Sequence, residues 1–124
     1  MADNNVTPGK TTISIDVILT IASLTTLDVT GVSRMSRLPS RRFKSMLLHR
    51  QDEDGLHIEV VDDTVYTEIY VILDSDVNIR EVGRNIQIAV SRAITDMIGM
   101  QVGFINVHVE DIDYPEVLEA SKNL

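Results

Sequence analysis

Between Leu56 and Leu73 apolar and polar side chains alternate almost without a break, and this pattern constrains the fold more than any other stretch of the chain. Leu56, Ile58 and Val60 alternate with His57 and Glu59. After Asp62-Asp63-Thr64, a second series of Val65, Thr67, Ile69, Val71 and Leu73 alternates with Tyr66, Glu68, Tyr70 and Ile72. Successive side chains of a strand point to opposite faces, so a period of two means a strand with one face in a core. Paired aspartates favour a turn, and β-branched and aromatic residues favour the strands on either side of it. The segment therefore reads as a β-hairpin. An isolated hairpin is marginal in water, so the rest of the chain must cover its apolar face.

Two segments can do so. Ile79, Val82, Ile86, Val90, Ala93 and Met97 recur at spacings of three and four, the stripe of an amphipathic helix, with Arg80, Arg84 and Ser91 turned away. Asn78 is placed to cap this helix, Glu81 occupies the capping-box position, and Gly99 suits a left-handed C-terminal residue. Earlier, Ser14 precedes an apolar segment from Ile15 to Val29 that carries Ile18, Ile21, Ala22, Leu24 and Leu27, and Thr30-Gly31 supplies its stop. Val32 to Met35 reads as a short strand. Ile105, Val107 and Val109 alternate with Asn106, His108 and Glu110 in a last strand that ends at Asp113-Tyr114-Pro115. The expected fold is a two-layer α+β domain, two main helices packed on one face of a small, largely antiparallel sheet. The other face, with His57, Glu59, Tyr66, Glu68, Tyr70, Asn106 and His108, is left exposed or covered by a partner.

At 124 residues the chain has room for one core. Residues 1–11, polar and carrying Pro8-Gly9, read as a disordered lead-in; 12–112 form the domain, including a basic connection at 33–54; 113–124 are a polar tail. Within the connection, Phe43, Met46 and Leu47 fall at helical spacing, although a strand or a loop fits as well, and Gln51 to Gly55 reads as an acidic turn. From Ser33 to Arg50 the chain holds Arg34, Arg37, Arg41, Arg42, Lys44 and Arg50 and no acid, a charge of +6. The five remaining cations face all nineteen acids, so the rest of the chain carries −14 and the net charge is −8. These six cations are the candidate contact residues for an anionic membrane surface or an acidic protein, against the plainer reading of a solvated loop. Near an anionic bilayer each Lys or Arg contributes about 1 kcal/mol. The acidic remainder would repel a polyanion, which disfavours a nucleic-acid module using the same arginines.

Catalytic chemistry finds no foothold. With no Cys there is no disulfide framework, thiolate metal site or cysteine nucleophile, and a reducing cytoplasm is the default. No G-x-S-x-G elbow occurs, and the scattered glycines form neither a phosphate loop nor a dinucleotide fingerprint. If their strands were neighbours, His57, Glu59, His108 and Glu110 would be a candidate zinc set, yet alternation alone often produces such groupings, and a solvated surface is the better reading. No catalytic, cofactor-binding or metal-binding residue is assigned, and the chain is expected not to be an enzyme. The N-terminus lacks the basic start and apolar run of a secretory signal, and the charge-free stretch from Val17 to Leu27 is about half of the ~20 residues a membrane-spanning helix needs.

Several stretches resemble the alkaline shock (envelope stress response) family. Val77-Asn78-Ile79-Arg80-Glu81-Val82, followed by Ile86-Gln87 and Val90, then Met97-Ile98-Gly99-Met100-Gln101-Val102 and Ile105-Asn106-Val107-His108-Val109, is similar to its C-terminal half. Ile13-Ser14, Val17-Ile18, Ile21-Ala22 and Val29-Thr30-Gly31-Val32 resemble its opening helix and glycine turn. The resemblance implies a small bacterial protein without enzymatic activity or cofactor, linked to cell-envelope stress. It further implies a homo-oligomer acting as a cytoplasmic scaffold through protein–protein interaction, and association with the inner face of the membrane through a membrane-anchored partner. Between Met35 and Asp54 this chain departs from the family, which there has a shorter, glycine-rich connection.

Overall fold

The computed structural model describes residues 8–37, 50–53 and 55–114, with 50–53 described through their backbone. The order is α1 (Ile15–Leu27), β1 (Val32–Met35), β2 (Arg50–Glu53), β3 (Leu56–Val61), β4 (Thr64–Asp74), α2 (Ile79–Arg92), a π-helical turn (Ala93–Ile98) and β5 (Gln101–Asp113).

The hairpin forms as its alternation demands. β3 and β4 pair antiparallel from Leu56↔Ile69 to Val61↔Thr64, and the two residues between the strands, Asp62 and Asp63, both take left-handed φ values of 50° and 64°. Two consecutive left-handed residues make the turn whose twist matches a two-residue hairpin, and Asp tolerates that conformation better than most side chains. Val65, Thr67, Ile69, Val71 and Leu73 are fully buried under the helices.

β4 is the hub of the sheet. One of its edges carries β3 beside its first half and β1 beside its second half, both antiparallel. Its other edge carries β5, parallel from Thr64↔Gln101 to Asp74↔Asp113, with register shifts after Val65 and after Val71. A parallel neighbour needs a crossover, and α2 supplies it. The lanes of β1 and β3 meet at Tyr70, whose N–H donates to Gly55 O at 2.8 Å and whose C=O accepts from Ser36 N–H at 2.9 Å. Gly55 has φ +75°, and a Cβ there would lie 2.7 Å from Tyr70 O and 2.8 Å from Ser36 O, so the junction closes only around glycine. The domain is thus a two-layer α+β structure with a largely antiparallel sheet.

Both helices lie on the same face, α1 against β1 to β3 and α2 against β5, and they touch one another. Ile18, Leu19 and Ala22 of α1 and Val82, Ile86 and Val90 of α2 meet the buried row of the sheet. Each fully buried aliphatic side chain contributes about 1.5–3 kcal/mol. The expected cap of α2 is present: Asn78 Oδ1 accepts from Glu81 N–H at 3.1 Å, and Gly99 ends the segment at φ 79°. α1 stops at Leu27, short of the expected Val29, because Val29 N–H turns to Thr26 O and tightens the last turn.

Two expectations are corrected. The apolar stripe of α2 does not continue to Met97, which is 70 % exposed; Ile94 and Ile98 are buried instead. In an α-helix a spacing of four drifts about 40° per step. The wider π turn, with Gly99 N–H reaching back five residues to Ile94 O, absorbs that drift and keeps 82, 86, 90, 94 and 98 in line. Nor does the turn expected over Gln51 to Gly55 reach back to Gln51, although Gly55 itself is a turn residue. Arg50–Glu53 is a strand paired antiparallel with β3 through Glu53↔Leu56, because ladder hydrogen bonds outweigh the weak strand propensity of Asp and Glu. The helical spacing of Phe43, Met46 and Leu47 and the tail beyond 114 lie outside the described residues.

Candidate interaction surface

The face of the sheet opposite the helices gathers the polar partners of the alternating pattern. Across it run three rows: Glu59, Tyr66 and Phe104; His57, Glu68 and Asn106; and Tyr70 with His108. Paired residues share a face, so β4 sets every cross-strand neighbour. β3 and β5 lie on opposite edges of β4, which separates His57 from His108 and dissolves the candidate zinc set. Each histidine has its own carboxylate: His57 Nε2 lies 2.9 Å from Glu59 Oε2, and His108 Nε2 lies 2.7 Å from Glu68 Oε1. Asn106 Nδ2–H donates to Glu68 Oε2 at 3.0 Å, and the His108 ring stacks on Tyr70 at 4.4 Å between centroids. Among the described residues no group of three or more His, Asp or Glu side chains could hold a metal ion. His57, read from the sequence as solvated, is only 6 % exposed.

The apolar part of this face lies toward the hairpin turn. Tyr66 and Phe104 meet edge to face at 5.0 Å, and the Tyr66 ring covers Gly103 so closely that no Cβ could fit beneath it. Gly103 lies where the β4/β5 register slips, and an aromatic side chain over a strand glycine restores the packing the glycine lacks. Phe104 is 44 % and Val61 42 % exposed, and with His57, Glu59, Tyr66, Glu68 and Tyr70 they line an open concavity of about 560 Å³.

Of the six candidate cations, Arg34 is committed within the fold. Its guanidinium forks onto Asp113 through Nε and Nη2, each at 3.1 Å, and Ser33 Oγ donates to the same carboxylate. The bidentate geometry ties β1 to the end of β5 across β4. Hydrogen bonds from Arg34 and then Ser33 hold the Asp113 carboxyl below the usual range, and Asp113 raises the Arg34 guanidinium in return. Arg37 is exposed beyond β1. Arg41, Arg42 and Lys44 lie outside the described residues, and Arg50 is placed by its backbone, opposite Glu59. Sequence reading missed the Arg34–Asp113 fork, since nothing local marks a pair so far apart. The Tyr66–Gly103 contact had one available signal, an isolated glycine inside a strand pattern.

No helix among the described residues is long and apolar enough to cross a membrane. Uncharacterized protein Spy1614 of Streptococcus pyogenes serotype M6 is 26% identical over 110 residues, spanning 87% of this chain and 91% of that relative. Uncharacterized protein Spy1535 of the same organism is 30% identical over 106 residues, spanning 84% of this chain and 79% of that one. Among solved structures, one titled MamM CTD has a TM-score of 0.48 at 13% identity, covering 80% of this chain and 98% of its own. Residues 3–114 match the family model described as alkaline shock protein 23 family, cell envelope-related function, and the chain belongs to that family.

Proposed function

We propose that this chain is a non-enzymatic scaffold of the cell envelope, acting in the cytoplasm at the inner face of the membrane by self-association and by docking to a membrane-anchored partner. The observation that carries the reading is the one-sided architecture. Both helices cover the same face, while the opposite face presents Val61, Tyr66 and Phe104 around a concavity. Exposed aromatic side chains on a rigid sheet are the residue type that anchors protein interfaces, giving large contact area at little entropic cost. A second copy placed on this face buries those rings. The +6 segment then meets an anionic lipid surface or an acidic protein, with Arg37, Arg41, Arg42, Lys44 and Arg50 as contacts and Arg34 partly held back by Asp113.

Light scattering over a hundredfold range of concentration tests the self-association. The wild-type chain is expected to grow in apparent mass with concentration, and the Val61→Ser/Phe104→Ser double variant to stay monomeric. A wild-type chain that remains a monomer throughout refutes self-association. Sedimentation with anionic vesicles tests the basic segment: replacing Arg37, Arg41 and Arg42 by Ser should reduce the bound fraction, and no change removes that segment from the mechanism.

A further inference from the structure

A second surface lies on the other side of the molecule, where α2 runs beside the outer edge of β5. Tyr70 gives both of its backbone groups to the β1/β3 edge of β4. Backbone direction alternates along a strand, so Thr67, Ile69 and Val71 give theirs to β5, and their register partners Ile105, Val107 and Val109 turn N–H and C=O outward. Among the described residues only one of these outward groups is met by a side chain: Gln87 Nε2–H donates to Ile105 O at 2.9 Å. Around Val107 and Val109 no further strand pairs among the described residues.

Next to this open edge is a groove of about 600 Å³ between α2 and β5, floored by Val107 and Val109 and walled by Ile79, Arg80 and Arg84. Beyond Gln87 it continues past Arg92 and Ile88. No acidic side chain lines either part among the described residues. Arg80, Arg84 and Arg92 are exposed, and among the described residues they make no ion pair or hydrogen bond. In a chain of net charge −8, these unpaired arginines, Arg80 and Arg84 one turn apart and Arg92 two turns further on, form a local positive field beside an unpaired strand edge.

We infer that the outer edge of β5 and the arginine face of α2 form a docking site for an extended acidic segment of a partner protein, which adds to the sheet as a further strand. The geometry fits carboxylates on alternate residues. Arg80 and Arg84 are one turn apart, about 6 Å along the helix, and the same-face side chains of a strand repeat at about 6.7 Å. Main-chain bonds to Val107 and Val109 supply affinity, and the arginines select side chains of the acid-x-acid type. The inference deepens the partner-docking half of the proposed function, and it is independent of self-association through the open sheet face.

The test is fluorescence anisotropy on the full chain with a labelled decapeptide alternating Glu and Val. Saturable binding is expected, weakened at least tenfold in the Gln–Val analogue, in the same Glu–Val peptide N-methylated at alternate residues, and in the Arg80→Glu/Arg84→Glu variant with an unchanged circular dichroism spectrum. The Val61→Ser/Phe104→Ser variant should keep the binding, so failure of self-association and failure of this site read differently. Full binding of the N-methylated peptide would overturn strand addition, and full binding by the charge-reversed variant would overturn the site. No binding at all, with a dimer that the charge reversal dissociates, would overturn it in favour of a second copy of the chain.

Discussion

Among the described residues two threonines are fully buried, and the same substitution at each should act with opposite sign. Thr67 sits in the middle of β4 between Ile58 on β3 and Ile105 on β5, facing the helices, and its hydroxyl has no hydrogen-bond partner among the described residues. Thr26 sits in the last turn of α1 and donates from Oγ1 to Ala22 O at 2.7 Å. A buried hydroxyl without a partner costs about 1–3 kcal/mol, and replacing it with a methyl group adds apolar burial. Thr67→Val keeps the β-branched shape that a strand prefers, so the change should raise unfolding free energy by about 1–2 kcal/mol. For a domain of this size that is roughly 3–8 °C in melting temperature. Thr26→Val removes a made bond and should lower stability by about 0.5–1 kcal/mol. Urea and thermal unfolding followed by circular dichroism, at one fixed protein concentration so that association cannot enter, measure both. The reasoning fails if Thr67→Val destabilises, or if the two variants shift together.

Gly55→Ala puts a Cβ against two carbonyl oxygens at a left-handed φ and should cost about 2–4 kcal/mol, read as a lower urea midpoint with unchanged slope. Asn78→Ala removes the cap of α2 at about 1 kcal/mol, whereas Asn78→Asp keeps an acceptor for Glu81 N–H and should stay near wild type. Asp113 titrates below its ordinary value of 3.8 in the fold, so the stabilisation from Arg34 and Ser33 is complete above that value and is lost as pH falls toward the lowered one. Asp113→Asn should therefore flatten the acid limb of a plot of urea midpoint against pH, and an unchanged limb would show that the fork does not stabilise the fold.

The hairpin, both helices and the last strand are legible in the sequence because each is governed by neighbours a few residues away. Asp62-Asp63 makes its turn with its own backbone, Asn78 reaches its cap three residues on, and Val65 to Leu73 alternate whatever lies beside them. What sequence did not deliver depends on partners far along the chain. The run from Gln51 to Glu53 has turn composition and becomes a strand because β3 offers it a ladder. Met97 continues the α-helical stripe on paper, yet the π turn places Ile98 in the core. His57 and His108 both alternate as polar strand residues, but only the sheet order shows that β4 stands between them. The open face was legible as a set of residues, and its pairing into two separate imidazole–carboxylate contacts was not.

Tyr70 holds Ser36 with its carbonyl and Gly55 with its amide, so the chain that departs at one returns at the other within the width of a single residue. The connection from β1 to β2 is an excursion that starts at this point, and β2 pairs with β3 before the return. The entropy of closing such an excursion grows only logarithmically, about 0.6 kcal/mol for each doubling of its length. Evolution can therefore rewrite the connection from β1 to β2, in length and in charge, while the domain beneath it stays the same. For the experimenter it is the natural graft point, where a reporter or a second binding module can be spliced in without disturbing the strands on either side.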